Sequence, residues 1–341
     1  MWQNLRLALI IAVLIITRLE ISRSQKPRLG GAINIFNRYG HLTISMRVVS
    51  RNDTGTWIFR EPTVDVFHNL LPAPPKQSKS TTVFHGDFHM EFCDNVRQLQ
   101  QAYFRDFTIE NIERPWRAFT SSWTPNVMAK HLGINSSYIY SDHCFVLVRV
   151  SRFRENQELM GNMETLVLNE DVENEANTIS IGDKDSVLYF VRNFGSHYIK
   201  SFVTGNSLYQ VFVYRPEVYL QIKERLKTRG VADLSNLELS NYFSPWYAEH
   251  MGRIQSASGN HTVEDWAKKQ LEVQYFIFTY SSLLKLHGDI DLLRQLNILL
   301  GNEALLQLQL RALLPLFKDI KLKEWFLEVM DNYSKLWEVN E

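Results

Sequence analysis

The chain has 341 residues, with 37 Lys and Arg against 37 Asp and Glu, so its formal net charge is zero with His neutral. That balance excludes a nucleic-acid footprint and a polybasic lipid anchor. Two cysteines are too few to staple a chain of this size, so stability has to come from an apolar core, for which 45% hydrophobic content is ample.

Residues 1–24 place Arg6 before an apolar run at 7–16. The run is too short to span a bilayer and long enough for a secretory signal, with Ser22-Arg23-Ser24 offering small residues for cleavage before Gln25. Arg18 and Glu20 lie close to the run and keep a signal anchor as the alternative. Removing residues 1–24 takes away three Arg and one Glu and leaves the remainder at −2. No later stretch approaches the 18 uncharged apolar residues of a membrane helix. A secreted, extracellular protein is expected.

Residues 29–50 mix Gly30-Gly31 with a strand-like run at 42–48, and Pro72, Pro74 and Pro75 mark a loop. Residues 83–93 alternate around Phe84, Phe88, Met90 and Phe92 and predict a strand. Over 96–119 the period lengthens: Tyr103, Phe107, Ile112, Trp116 and Phe119 suit imperfect helices interrupted at Pro115. Residues 138–153 return to strand character, with Phe145, Leu147 and Arg149 opposite Val146, Val148 and Val150. A helix is predicted at 183–193, a strand at 198–214, and a helix at 216–226 on Val218, Ile222 and Leu226. Beyond His261 the Leu-rich chain reads as helical. Residues 283–300 end at Gly301, and Asn302 caps a further helix through Lys318.

Residues 189–214 are the most informative stretch. Phe194-Gly195-Ser196-His197-Tyr198 is followed seven residues later by Gly205-Asn206. A Gly inside a β-branched and aromatic run marks a bulge or a bend, and Asn is the next most tolerant residue there. This stretch resembles the signature of the membrane-attack-complex/perforin (MACPF) family: an aromatic, Gly-Thr-His, an aromatic, six residues, then Gly-Gly. Ser196 stands for the Thr and Asn206 for the second Gly, and Val187 sits where the family has an aromatic.

The resemblance covers about residues 80–270 and implies an α+β fold, a bent four-stranded antiparallel sheet flanked by two helical clusters. Carried over, 83–93, 138–153, 198–214 and 246–258 become the four strands. Residues 94–137 and 215–245 become the clusters, and the domain runs over 25–270 with a helical segment at 271–341. Phe194, Gly195, Ser196, His197, Tyr198, Gly205 and Asn206 would be fold and hinge positions. In pore-forming members each cluster unravels into membrane-spanning hairpins. Here Glu110, Glu113 and Glu224 fall on the apolar phase or break it, and Arg105, Asp106, Arg114 and Arg117 occupy both phases. Each such charge costs about 2–4 kcal/mol at the bilayer midplane. Permanent helices are therefore expected, with a lytic protein as the alternative. The single-domain, cysteine-poor layout resembles a non-lytic branch of the family that promotes local activation of a receptor tyrosine kinase by its ligand. The implied partners are an extracellular ligand or receptor, with a membrane surface or extracellular matrix nearby.

Other chemistry is sparse. His85 and His89 lack a zinc-binding pattern, and His143 beside Cys144 would point to the opposite face of a strand. Gly195-Ser196-His197 lacks a nucleophile elbow. No catalytic residue, cofactor or metal is expected. Sequons at Asn52, Asn135, Asn260 and Asn332 suit a glycoprotein, and Cys93 and Cys144 are read as a disulfide, with free thiols the alternative.

Overall fold

A run of β-branched and aromatic residues with few breakers favours a long strand, and residues 197–214 form one of 18 residues. The structure, a computed structural model, describes residues 27–36, 64–68, 70, 84, 86–120, 123–159, 166–229, 236–275 and 277–339. The segment 1–24, expected to be a secretory signal, and Asn52 lie outside them.

In chain order the strands are β1 (Ala32–Ile33), β2 (Phe67–His68), β3 (Gly86–Cys93), β4 (Phe107–Ile109), β5 (Cys144–Glu158) and β6 (Val167–Leu168). There follow β7 (His197–Tyr214), β8 (His250–Met251), β9 (Gln255–Ser256), β10 (Glu272–Tyr275), β11 (Phe278–Ser281) and β12 (Ala304–Ala312). The helices are α1 (Val96–Tyr103), α2 (Arg117–Thr120), α3 (Pro125–Leu132), α4 (Glu170–Asn177) and α5 (Lys184–Phe194). Later come α6 (Pro216–Arg229), α7 (Asn236–Tyr242), α8 (His261–Gln270), α9 (Ile290–Leu299) and α10 (Ile320–Val339).

The central sheet runs β3-β5-β7-β12-β4, and β1, β8 and β9 also pair with β7. Strand alternation divides its side chains between two cores. Phe145, Leu147, Tyr209, Val211 and Val213 pack against α1 and α3. Val146, Val148, Val150, Leu208, Phe212 and Tyr214 pack against α6, α7, α8 and α9. Because both faces are covered, the strands read as continuous apolar runs. Gln210 is fully buried among them and satisfied: its amide donates to Gly252 O and Ser281 O, both at 2.9 Å, and its oxygen accepts from Leu283 N at 2.8 Å. A third core joins α4, α5 and α10 through Val172, Phe190, Leu322 and Phe326.

The sheet has more than the four strands implied by the resemblance, for two reasons. Its fourth column is composite. The segment 246–258 contributes only the two-residue strands β8 and β9 beside residues 208–213 of β7. The rest of that column is β12, beside residues 197–205 of β7. Residues 304–312 are therefore a strand and not the helix read from their leucines: Leu306, Leu308 and Leu310 are buried at period two, with Gln307 and Gln309 between them less so. A domain boundary at 270 cuts through this sheet. The second reason is β4. Residues 96–119 are not helical throughout; α1 ends at Tyr103, with Phe104 as its C-cap, and Phe107–Ile109 joins the far edge parallel to β12.

The disulfide is not formed. Cys93 and Cys144 are both free and buried. Cys93 lies opposite Phe145 in register and belongs to the first core, whereas Cys144 lies opposite Tyr214 and belongs to the second. A one-residue offset on adjacent strands points the two sulfurs to opposite faces. Both thiols should resist iodoacetamide in native protein and react in urea. Recovery of a Cys93–Cys144 peptide by non-reducing mass spectrometry would contradict this arrangement.

Candidate functional site

The signature residues gather at two points along β7. Near its start, Asp183 caps α5 by accepting from Asp185 N at 3.0 Å, and the helix stops at Gly195. Gly195 has φ +78°, and a Cβ there would stand 2.8 Å from Ile33 O, so both conformation and space require glycine. Phe194 stacks on Phe190 at 5.4 Å, and Tyr198 meets Phe67 edge-on at 4.9 Å. Ser196 N donates to Ile33 O at 3.0 Å, and its hydroxyl accepts from Ile35 N at 3.3 Å.

His197 is almost fully buried. Its Nε2 lies 2.9 Å from Glu110 O, which can only accept, so Nε2 carries the proton. Nδ1 then accepts from Ser196 Oγ at 2.9 Å. Burial lowers the imidazole pKa from 6.5 to about 4, against the weaker raising effect of the Glu110 carbonyl and carboxylate. Glu110 closes the knot. Its carboxylate accepts from Arg311 Nη1 at 3.0 Å and from Ala312 N at 2.9 Å, and its own N–H donates to Leu310 O at 3.1 Å. The latch joins the first helical cluster, the signature and β12. A cavity of about 30 Å³ beside it, lined by Phe36, Glu110, His197 and Phe326 among others, has room for about one water rather than a ligand.

Further along β7, the sheet bends at Gly205. Opposite it on β5 the register skips Arg154, between Phe153 and Glu155; on β12 it skips Leu306. Bulges on both neighbours at one level turn three strands together. A Cβ at Gly205 would lie 1.9 Å from Arg152 O. The next residue, Asn206, is fully buried and fully used. Its Nδ2 donates to Ser258 Oγ at 2.8 Å, and its Oδ1 accepts from Ser256 Oγ at 3.1 Å and from Ser207 N at 2.9 Å. Glu303 accepts from Ser258 Oγ at 3.1 Å and Asn260 Nδ2 at 3.0 Å, while its N–H donates to Gly205 O at 3.0 Å.

Residues 297–303 thus cross the bend as a strap. Arg152 Nε donates to Asn297 O and Arg154 Nε to Leu300 O, each at 3.1 Å. Both guanidinium groups sit at the carbonyl end of α9, where the helix dipole favours a cation. Asn302 Nδ2 donates to Glu155 Oε1 at 2.8 Å. Sequence reasoning missed Glu110, Arg152, Arg154, Ser256, Ser258 and Glu303. The available signal was a polar residue, Asn206, inside a strand that is otherwise apolar.

The remaining candidates do not join these points. His143 bonds to Ser141 Oγ at 2.7 Å and Glu249 Oε2 at 3.1 Å, while Cys144 Sγ donates to Asp94 O at 3.4 Å. His89 lies 3.0 Å from Glu91. Of the sequons, Asn135 and Asn332 are exposed. The Asn260 side chain caps α8 through Thr262 N at 3.0 Å and donates to Glu303, so a glycan on its nitrogen would have to break the hub at the bend.

No protein-family model matches the chain, and no curated protein does. Among solved structures it is similar to GNIP1Aa from Chromobacterium piscinae, at 12% identity and a TM-score of 0.45, over 91% of this chain and 57% of that one. It is similar to a protein with a MAC/Perforin domain from Bacteroides thetaiotaomicron, at 9% identity and TM-score 0.43, over 89% and 59%. A third is Astrotactin-2, a vertebrate-specific, perforin-like membrane protein involved in neuronal development, at 15% identity and TM-score 0.36, over 89% and 96%. The chain thus spans less than two thirds of the first two.

Gly205→Val should yield no folded protein, because the added Cβ meets backbone on a strand that cannot yield. Wild-type circular dichroism and yield for this variant would show that the close approach is not obligatory. For His197, the unfolded ring binds its proton near pH 6.5 and the folded ring near pH 4. Between these values the unfolded state holds more protons, so stability falls as pH drops from 6.5 to 4, by at most about 3 kcal/mol. Urea midpoints at pH 7 and pH 4.5 should therefore differ less in His197→Gln than in wild type. Equal differences would mean that the ring is not held neutral.

Proposed function

We propose that this chain is a MACPF-like protein that does not perforate membranes and acts outside the cell as an accessory factor in receptor signalling. The observation that carries the non-lytic part is the parallel pairing of β4 with β12. Strand β4 belongs to the first helical cluster, which starts from β3 at one edge of the sheet, yet it is built into the opposite edge. Unravelling that cluster would strip three register pairs, the Glu110–Arg311 ion pair and the His197 bond to Glu110. It would also remove Tyr103 O from buried Arg149, whose Nη2 donates to it at 2.7 Å. The second cluster is held too: Tyr219, Ile222 and Leu226 of α6 are buried, at about 1.5–3 kcal/mol each. Tyr219 also bonds to Asp94 at the root of the first cluster, at 2.7 Å.

The signalling part rests on the resemblance in layout to the insect Torso-like protein. On that reading the protein promotes local activation of a receptor tyrosine kinase by its ligand, in the Torso pathway that patterns the ends of the embryo. The secretory signal expected at residues 1–24 and the exposed sequons at Asn135 and Asn332 support an extracellular role.

Purified protein should release no dye from neutral or anionic liposomes. A Thr108→Cys/Gln309→Cys pair, placed at facing register positions, should lock β4 onto β12 without loss of receptor phosphorylation in cells given limiting ligand. Dye release, or signalling that returns only after reduction, would favour a perforin-type mechanism. Full receptor activation without the protein would remove the signalling reading alone.

A further inference from the structure

The sequence sets His143 beside Cys144, but the fold gives the imidazole other partners. Cys144 lies opposite Tyr214 and His250 opposite Val213, so the residues leading into β5 and β8 meet across the end of β7. There His143 Nδ1 lies 2.7 Å from Ser141 Oγ, and Nε2 lies 3.1 Å from Glu249 Oε2. Tyr138 meets the ring edge-on at 5.0 Å and itself stacks on His250 at 5.1 Å. The imidazole is thus held from three sides with its side chain 14% exposed, while Ser141 is exposed.

The protons in this chain of groups follow from its chemistry. The Glu249 carboxylate only accepts, so Nε2 carries the ring proton and Nδ1 is left as a lone pair. Ser141 donates to that lone pair. Ser137 O, at 2.9 Å, is a second acceptor for the same hydroxyl proton, and the shorter contact is the one to the imidazole. Burial works against ionisation of Glu249, but the bonds from His143 and from Arg215 Nε, 3.2 Å away, hold its carboxyl below the ordinary value. A hydroxyl on an imidazole that is oriented by a third group is the arrangement that activates a serine. The N–H groups of Ser141 and Asp142 donate to no backbone carbonyl among the described residues, which leaves two donors beside the hydroxyl for a developing oxyanion.

We propose that Ser141, His143 and Glu249 form a site that transfers acyl groups from carboxylic esters to water. Ser141 Oγ bonds to the ester carbonyl carbon as its proton passes to His143 Nδ1, and the carbonyl π pair moves onto oxygen. Collapse of that adduct breaks the ester C–O bond, and the leaving alcohol takes the proton from Nδ1. Water then repeats the sequence on the acyl-serine, releasing the carboxylic acid and restoring the hydroxyl. Glu249 steadies the imidazolium formed in each half. Because Ser141 is exposed, the ester can be carried on a large molecule. The proposal rests on neither the non-lytic nor the signalling reading.

The test is labelling of the full native chain with a fluorophosphonate, which bonds to an activated serine oxygen and releases fluoride. Peptide mass spectrometry should find one adduct, on Ser141, and none on protein unfolded in urea. His143→Gln should label at least about a hundredfold more slowly, and Glu249→Gln at least about tenfold more slowly. Arg215→Gln, which leaves the carboxylate in place, should label close to the wild-type rate. Wild type should hydrolyse p-nitrophenyl acetate with an initial burst that Ser141→Ala lacks. Ser141 and Glu249 are exposed, so thermal unfolding of their variants should match wild type. No adduct on native protein, an adduct elsewhere than Ser141, or an unchanged rate in both His143→Gln and Glu249→Gln overturns the proposal. Wild type that labels but leaves p-nitrophenyl acetate intact overturns it equally.

Discussion

At Gly205 two backbones come so close that a single methyl group would lie 1.9 Å from Arg152 O. The same happens on the other side of β5, where a Cβ at Gly86 would lie 1.8 Å from Ser151 O. These two contacts define a transverse line across three strands, and much of the molecule is organised along it. The line lets β5 and β7 curl, the bulges at Arg154 and Leu306 take up the difference in path length, and the bulged Arg154 is turned toward the end of α9. The fourth column changes hands at this level, from β8 and β9 to β12. Asn206, Ser258 and Glu303 fill the seam with bonds that leave the buried amide of Asn206 fully partnered.

The position of Asn206 gives the bend its character. Glycine there would leave the backbone free and the seam empty. Asparagine links β7 to β9 and, through Glu303, to the start of β12. Burial of a polar side chain is costly unless every donor and acceptor is met, so this seam has one satisfied arrangement and many poor ones. The curvature is thereby specified rather than merely permitted.

How much of this is legible in the sequence follows from which signals are local. The strands at 86–93, 144–158 and 197–214 and the helices at 184–194 and 216–229 are legible because composition, caps and Gly195 act within a few residues. The strand at 304–312 reads wrongly as helix because a Leu-rich run suits a helix as well as a buried strand. Only the Leu-Gln-Leu-Gln alternation at 306–309 separates the two. Strand β4 is hidden for a different reason: three residues carry no periodicity, and their partner lies far along the chain. The cysteines show the limit of adjacency, since neighbouring strands do not imply side chains on the same face. At the hinge, Gly205 and Asn206 are visible as unusual residues, whereas Arg152, Arg154 and Glu303 look like ordinary surface charges until the bend brings them together.

The placement of β12 also bears on how the chain acquires its shape. Glu110 and Arg311, which close the latch, are 201 residues apart. Until the segment at 304–312 is available, β4 has no strand to lie against, the first half of β7 keeps an open edge, and Glu110 has no arginine. Long-range pairings of this kind are formed late and slowly. An open edge on an apolar strand is an invitation to pair with another chain. The nascent protein therefore passes through a stage in which its most buried strand is also its most adhesive surface, and the last strand to arrive is what retires it.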